Sequence, residues 1–251
     1  MKWFVTGDTH GVFNRFSTMD RDERIGAIIL GDVGINVYGE PMDGVFKKQL
    51  GEKYPNIEFF CVRGNHEARP EGVQNIKIRY NRDVSGYVWE EEEFPQIHYF
   101  MDGGEYNING KSVLVLGGAQ SVDKEMRLIN HYPWFEDEEL TDEEMQSILE
   151  RVQYKEFDFV FSHTCPISWI DKPLLSNFEN RTEKFLETVK TNIEFGVWAF
   201  GHFHDDLLVR PTAVMLYENI MSLDHLWYLF HGMAQVERRW YPRSKRYYMG
   251  I

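Results

Sequence analysis

Asp8 and His10 are separated by a single residue, as are His202 and His204, and between the two pairs come Gly31-Asp32, Gly64-Asn65-His66-Glu67 and Ser162-His163. Carboxylates, a carboxamide oxygen and imidazoles form a mixed oxygen and nitrogen donor set. Such a set suits Mn, Fe, Zn or Ni better than Ca or Mg, with Mn favoured here. No thiolate lies among these residues, which argues against a closed structural zinc site. If each pair lies in extended chain, Asp8 and His10 point to one side, and so do His202 and His204. A lone Asp-x-His or Gly-Asp is a weak signal. The weight rests on all five groups occurring in order, each after an apolar run.

Those runs are the elements that must position the donors. Trp3–Thr6, Ala27–Leu30, Ile57–Val62, Val113–Leu116, Phe157–Phe161 and Val197–Phe200 are short and rich in β-branched and aromatic residues, as expected of strands buried on both faces. Helical spacing lies between several of them. Asp43–Tyr54 carries Val45, Phe46 and Leu50, and Thr182–Phe195 carries Phe185, Leu186, Val189 and Ile193. Thr141 with Glu144 reads as a capping box that opens a helix through Met145, Ile148, Leu149 and Val152. Strands alternating with helices predict an α/β layered fold, and donors that follow strands gather on the rim formed by their carboxyl ends. Toward the end, Leu207–Tyr217 and His225–Tyr241 read as closely spaced strands of a second, partly antiparallel sheet. With no repeat or linker, residues 1–251 read as one domain. Glu90–Glu93 and Glu136–Glu144 read as solvated acidic surface.

The formal net charge of −13 is expected to repel long nucleic acid and anionic lipid. Two divalent ions in one cleft would still draw an anion there. Cys61 and Cys165 lie in or beside apolar runs, as buried free thiols in a reducing, cytoplasmic setting would. The run after Met1 is too short for a signal peptide, and no apolar stretch is long enough to span a membrane.

Taken together, Asp8-Thr9-His10, Gly31-Asp32, Gly64-Asn65-His66-Glu67, His163 and Gly201-His202-Phe203-His204 resemble the motif series of the calcineurin-like metallophosphoesterase superfamily, in its bacterial and phage-type members. The resemblance implies a four-layer α-β-β-α sandwich of two mixed sheets and a binuclear centre. It assigns Asp8, His10, Asp32 and His204 to one ion and Asp32, Asn65, His163 and His202 to the other, with Asp32 bridging. A hydroxide shared by the ions would attack phosphorus. His66 is the residue expected to assist departure of the leaving group, or else to orient a ligand or the substrate. The implied reaction is hydrolysis of a phosphomonoester or phosphodiester carried by a small molecule, a nucleotide or a phosphoprotein. A nuclease for short or cyclic nucleotides, a protein-phosphatase-like enzyme and a metal-depleted scaffold are the alternatives.

The sequence departs from the Ser/Thr protein phosphatase branch, which reads Gly-Asp-x-x-Asp-Arg-Gly at the second motif. Here Ile35 replaces the Asp that orients the histidine, and Asn36 replaces the phosphate-gripping Arg. The substrate grip is therefore expected from Asn36 or from Arg127, in the Gly117–Arg127 segment behind the Val113–Leu116 run, where a guanidinium could take two phosphate oxygens. Arg69 has equal standing.

Overall fold

The computed structural model describes residues 1–170, 180–209 and 211–232. Its strands are β1 (Lys2–Thr6), β2 (Ile25–Ile29), β3 (Ile57–Cys61), β4 (Ile76–Asn81), β5 (Gly86–Glu91), β6 (Ile97–Phe100), β7 (Gly104–Ile108), β8 (Lys111–Leu116), β9 (Glu156–Ser162), β10 (Glu194–Phe200), β11 (Leu207–Val209), β12 (Ala213–Met215) and β13 (Met221–Ser222). The helices are α1 (Met42–Lys53), α2 (Lys124–Ile129), α3 (Asp142–Val152), α4 (Arg181–Asn192) and α5 (Leu223–His231). Two mixed sheets result, in the orders β13-β1-β2-β3-β6-β5-β4 and β11-β12-β10-β9-β8-β7. Strands β1, β2, β3 and β6 pair in parallel in the first sheet, and β8, β9, β10 and β12 in the second.

The two-residue period of a strand sorts the side chains into layers. Trp3, Val5, Ile28, Leu30, Phe60 and Val62 face the second sheet and meet Val113, Val115, Phe159, Phe161, Val197 and Ala199. The alternate residues Ile25, Ala27, Ile29, Phe59 and Cys61 turn the other way, onto Leu50 of α1 and Tyr54. On the far side, Leu114, Leu116, Val160, Trp198 and Phe200 pack against Met145, Ile148 and Val152 of α3 and Phe185, Leu186 and Val189 of α4. The order helix, sheet, sheet, helix is the expected four-layer sandwich. The capping box is present at α3: Thr141 Oγ1 accepts from Glu144 N at 3.2 Å, and Glu144 Oε2 accepts from Thr141 N at 2.7 Å. No described helix is long and apolar enough to cross a membrane.

Three expectations need correction. The second tail segment is not a strand where it is described. Ser222 caps the helix α5 by accepting from His225 N at 3.1 Å, and Leu223 and Leu226 bury into the intersheet core; residues 233–241 lie outside the described residues. The acidic stretches are not simply solvated. Glu91 is buried and holds Lys47 Nζ at 2.7 and 2.8 Å, while Glu138 is buried against Ser121 and Trp134. On α1, Leu50 is buried and Phe46 packs partly buried beside it, but Val45 is exposed and Asp43 and Lys47 take inward positions; the Glu91 carboxylate is what lets a lysine do so.

Candidate metal centre

The chain leaves β1, β2, β3, β9 and β10 at one rim, and each exit is strapped to a neighbour. His10 N donates to Asp32 O at 2.8 Å, Gly11 N to Val33 O at 2.9 Å, and Gly201 N to His163 O at 2.9 Å. These straps coil the exits into turns. The φ values of His10, Asp32, His202 and His204 are 44°, 44°, 68° and 51°, so neither His pair partner sits in the extended chain that the spacing suggested. A non-glycine residue in this region costs about 1–3 kcal/mol. Two motif glycines permit the close approach. A Cβ on Gly64 would lie 2.1 Å from Asp32 Oδ1, and one on Gly201 would lie 2.2 Å from Asp8 Oδ1.

The donors converge as two adjoining clusters. In the first, His10 Nε2 lies 2.8 Å from His204 Nε2, and Asp8 Oδ2 lies 3.2 Å from His204 Nε2 and 3.8 Å from His10 Nε2. In the second, His163 Nε2 lies 2.8 Å from Asn65 Oδ1, 3.2 Å from His202 Nδ1 and 3.6 Å from Asp32 Oδ1. Asp8, Asp32 and His163 also lie within reach of a single ion. Asp8 is fully buried: its Oδ1 accepts from His202 N at 3.0 Å, whereas its Oδ2 receives no well-aligned hydrogen bond. A buried carboxylate oxygen left unpaired is costly, and a cation among these donors would satisfy it. The residues therefore fit divalent metal.

The surroundings set the donors' charge and direction. His163 Nδ1 lies 2.8 Å from Leu30 O; donation of its proton there leaves the Nε2 lone pair facing the cluster. Burial holds His202 well below the usual imidazole range, with His163 adding to the effect. Burial likewise lowers His10 and His66. Burial pushes Asp32 up, but the His163 and His66 rings outweigh it and its net shift is downward. The Asp8 carboxylate raises His204. At His10, His202 and Asp32 these directions favour the neutral imidazoles and ionised carboxylate that ligation requires, whereas His204, held toward its protonated form by Asp8, would give up that proton to an arriving cation.

His66 Nε2 lies 3.7 Å from Asp32 Oδ2, at the edge of the clusters. Asp123, whose spacing from Arg127 also allowed the two to pair, does so: its Oδ2 accepts from Arg127 Nε at 2.8 Å, while its Oδ1, unexpectedly, stands 4.0 Å from the same His66 nitrogen. Arg127 also donates to Pro133 O at 3.1 Å. Asn36 is buried, and its side chain bonds the Tyr99 hydroxyl, which in turn donates to Glu91 at 3.1 Å. Both residues expected to grip substrate are thus engaged by protein partners. Arg69 donates to Glu144 Oε1 at 2.8 Å and to Glu139 O at 2.7 Å.

Sequence reasoning also missed the residues that splice the loops together. Glu67 accepts from Gly64 N and Val33 N, each at 3.1 Å; burial and the nearby Asp32 push it up to about 8. Arg15 donates to Asp8 O at 3.0 Å and to Thr6 Oγ1 at 2.9 Å, bracing the exit of β1. Glu67 closes the third motif but carried no assigned role, and the only sequence signal of Arg15 was nearness to the first motif.

The two-sheet sandwich thus carries on one rim Asp, Asn and His donors that could hold metal ions. A family profile described as calcineurin-like phosphoesterase matches residues 1–206, and the chain belongs to that family. Among solved structures it is similar to a phosphopantetheinyl hydrolase (PptH) from Mycobacterium tuberculosis, at 11% identity and a TM-score of 0.42, over 86% of this chain and 88% of that one. No curated protein matches the chain.

Proposed function

We propose that this chain hydrolyses phosphate esters of small molecules or nucleotides with two divalent cations, manganese foremost. Asp8, His10, Asp32 and His204 would hold one ion, and Asp32, Asn65, His163 and His202 the other. The observation that carries this reading is the convergence of two donor clusters on a buried Asp8 oxygen whose nearest neighbour, His204 Nε2 at 3.2 Å, makes no well-aligned hydrogen bond with it. When bound, the cations supply Lewis-acid charge and lower the pKa of bound water.

The chain's own part is orientation and proton delivery. Asp32 Oδ1 accepts from Asn65 N at 2.9 Å and His66 N at 3.0 Å, so one carboxylate shapes the turn that presents both residues. Its Oδ2 lies 3.7 Å from His66 Nε2. From its position at the rim, His66 Nε2 would pass a proton to the departing oxygen, a role worth about 10²–10⁴-fold in rate. The net charge of −13 supports a compact anionic substrate over long nucleic acid.

The test is metal content together with Mn(II)-dependent hydrolysis of p-nitrophenyl phosphate and bis-p-nitrophenyl phosphate. Asp32→Asn keeps an acceptor for the two N–H groups but should lose metal and activity together. His66→Ala should keep its metal and lose more rate on phenyl phosphate, a poorer leaving group, than on p-nitrophenyl phosphate. Full metal content and wild-type rate in Asp32→Asn would refute the reading.

A further inference from the structure

Asn65 can serve as a ligand only through its amide oxygen, and an amide turned by half a rotation would present nitrogen instead. We infer that Ser121 and Glu138 are positioning residues that fix which end of the Asn65 amide faces the cations. The inference rests on the two-cation reading above.

The three side chains form a directed chain of hydrogen bonds, and all three are buried. Glu138 Oε1 accepts from Ser121 N at 2.9 Å, and Oε2 accepts from Trp134 Nε1 at 3.0 Å. A carboxylate surrounded by N–H donors only accepts, so the single hydroxyl proton of Ser121 is committed to Glu138 Oε2. What Ser121 Oγ has left is lone pairs. It must therefore meet a donor on its other side, and Asn65 Nδ2 stands there at 2.9 Å. The Asn65 oxygen is then forced the opposite way, to 2.8 Å from His163 Nε2. A flipped amide would set its oxygen against the hydroxyl's lone pairs; on the other side the Nε2 lone pair of His163 would accept an amide N–H, so it is the Ser121 contact that keeps the oxygen turned toward the cations. The same Nδ2 lies 3.3 Å from His66 Nδ1, so the relay also braces the ring at the rim.

Glu138 is itself anchored. Its carbonyl accepts from Arg63 at 2.7 Å, and Arg63 Nε donates to Asp102 Oδ2 at 2.7 Å. Arg63 immediately precedes the Gly64-Asn65-His66 turn. The stretch that follows β8 thereby holds the third motif at two points, Arg63 just before it and Asn65 within it. Loss of an orienting partner of this kind costs about 10–100-fold in metal affinity.

Calorimetric titration of the metal-stripped full chain with Mn(II) tests the relay, using Ser121→Ala, Ser121→Val and Ser121→Thr. Thr and Val have the same shape and differ in the hydroxyl, so a difference between them does not arise from packing. The relay predicts that Ala and Val weaken one of the two ions about 10–100-fold and leave the other unchanged, while Thr stays near wild type. Wild-type binding of both ions by Ser121→Ala, or equal losses in Thr and Val, would overturn it. A wild-type chain that takes up fewer than two ions would instead sink the two-cation reading, and the relay with it.

Discussion

Replacing Lys47 by Met should strip the buried Glu91 of its counterion, and the structure sets the size of the loss. Lys47 is 1% exposed and Glu91 5%, so solvent cannot take over the lysine's role. The ammonium meets both carboxylate oxygens, at 2.7 and 2.8 Å; after the change Glu91 keeps the Tyr99 hydroxyl at 3.1 Å. Breaking a buried pair by removing one partner costs about 3–5 kcal/mol, because the remaining charge is uncompensated. For a chain of this size each kcal/mol moves the melting temperature by about 2–4 °C, so a fall of about 6–20 °C is expected. The loss should be measured by calorimetry and by urea unfolding at pH 7, with two-state behaviour checked by coincident probes. Lys47→Met/Glu91→Gln removes the stranded charge while leaving an acceptor for Tyr99, and should recover most of the loss. A single-variant cost under about 1 kcal/mol, or a double variant no better than the single, would refute the idea that the lysine is held inside by that carboxylate.

Two further outcomes follow from particular contacts. Glu144 is held down to about 2, first by its hydrogen bonds with Arg69. A carboxylate depressed below its unfolded value adds stability that is present above about pH 4.5 and is lost as pH falls toward 2. Glu144→Gln should therefore flatten the dependence of melting temperature on pH between 5 and 3, and an unchanged slope would exclude the contribution. Gly201→Ala pushes a methyl against Asp8 Oδ1 at 2.2 Å, whereas the space around Gly72 is open. The first should cost about 1–3 kcal/mol and weaken Mn(II) binding by calorimetry, with Gly72→Ala as the near-silent control. Equal behaviour of the two alanine variants would count against the close approach.

The strands that carry the donors were legible because both of their faces are buried, so nearly every residue from Ala27 to Leu30 or from Val197 to Phe200 is apolar. Strands β4 to β7 escaped notice. Strands β4 and β7 alternate apolar with charged or polar residues, β5 ends in two glutamates and β6 is only four residues long, and Glu91 read as surface because its partner Lys47 lies 44 positions away. The aromatic run of α5 suited a strand by propensity, but the Ser222 cap and the burial of Leu223 and Leu226 favour a helix. Among the site residues, each of the seven proposed ligands sat in a short motif. Ser121 and Asp123 lay in the Gly117–Arg127 segment, which was singled out for its arginine, and Glu138 and Arg15 lay in no motif, because what places all four is burial and hydrogen bonding that spacing does not show. The turn conformations of His10, His202 and His204 were equally hidden. Spacing alone implied extended chain, and the straps between neighbouring exits decide otherwise.

The proposed ligands divide four and three between the two halves of the sandwich. Asp8, His10, Asp32 and Asn65 follow strands of the first sheet, and His163, His202 and His204 follow strands of the second. Any ion shared among them is a rivet through the seam. At a hundredfold excess over its dissociation constant, one such ion adds about 2.7 kcal/mol to the folded state. Metal supply in the cell would then govern how long the protein survives as well as how fast it works, and starvation for the ion would show first as vanishing protein.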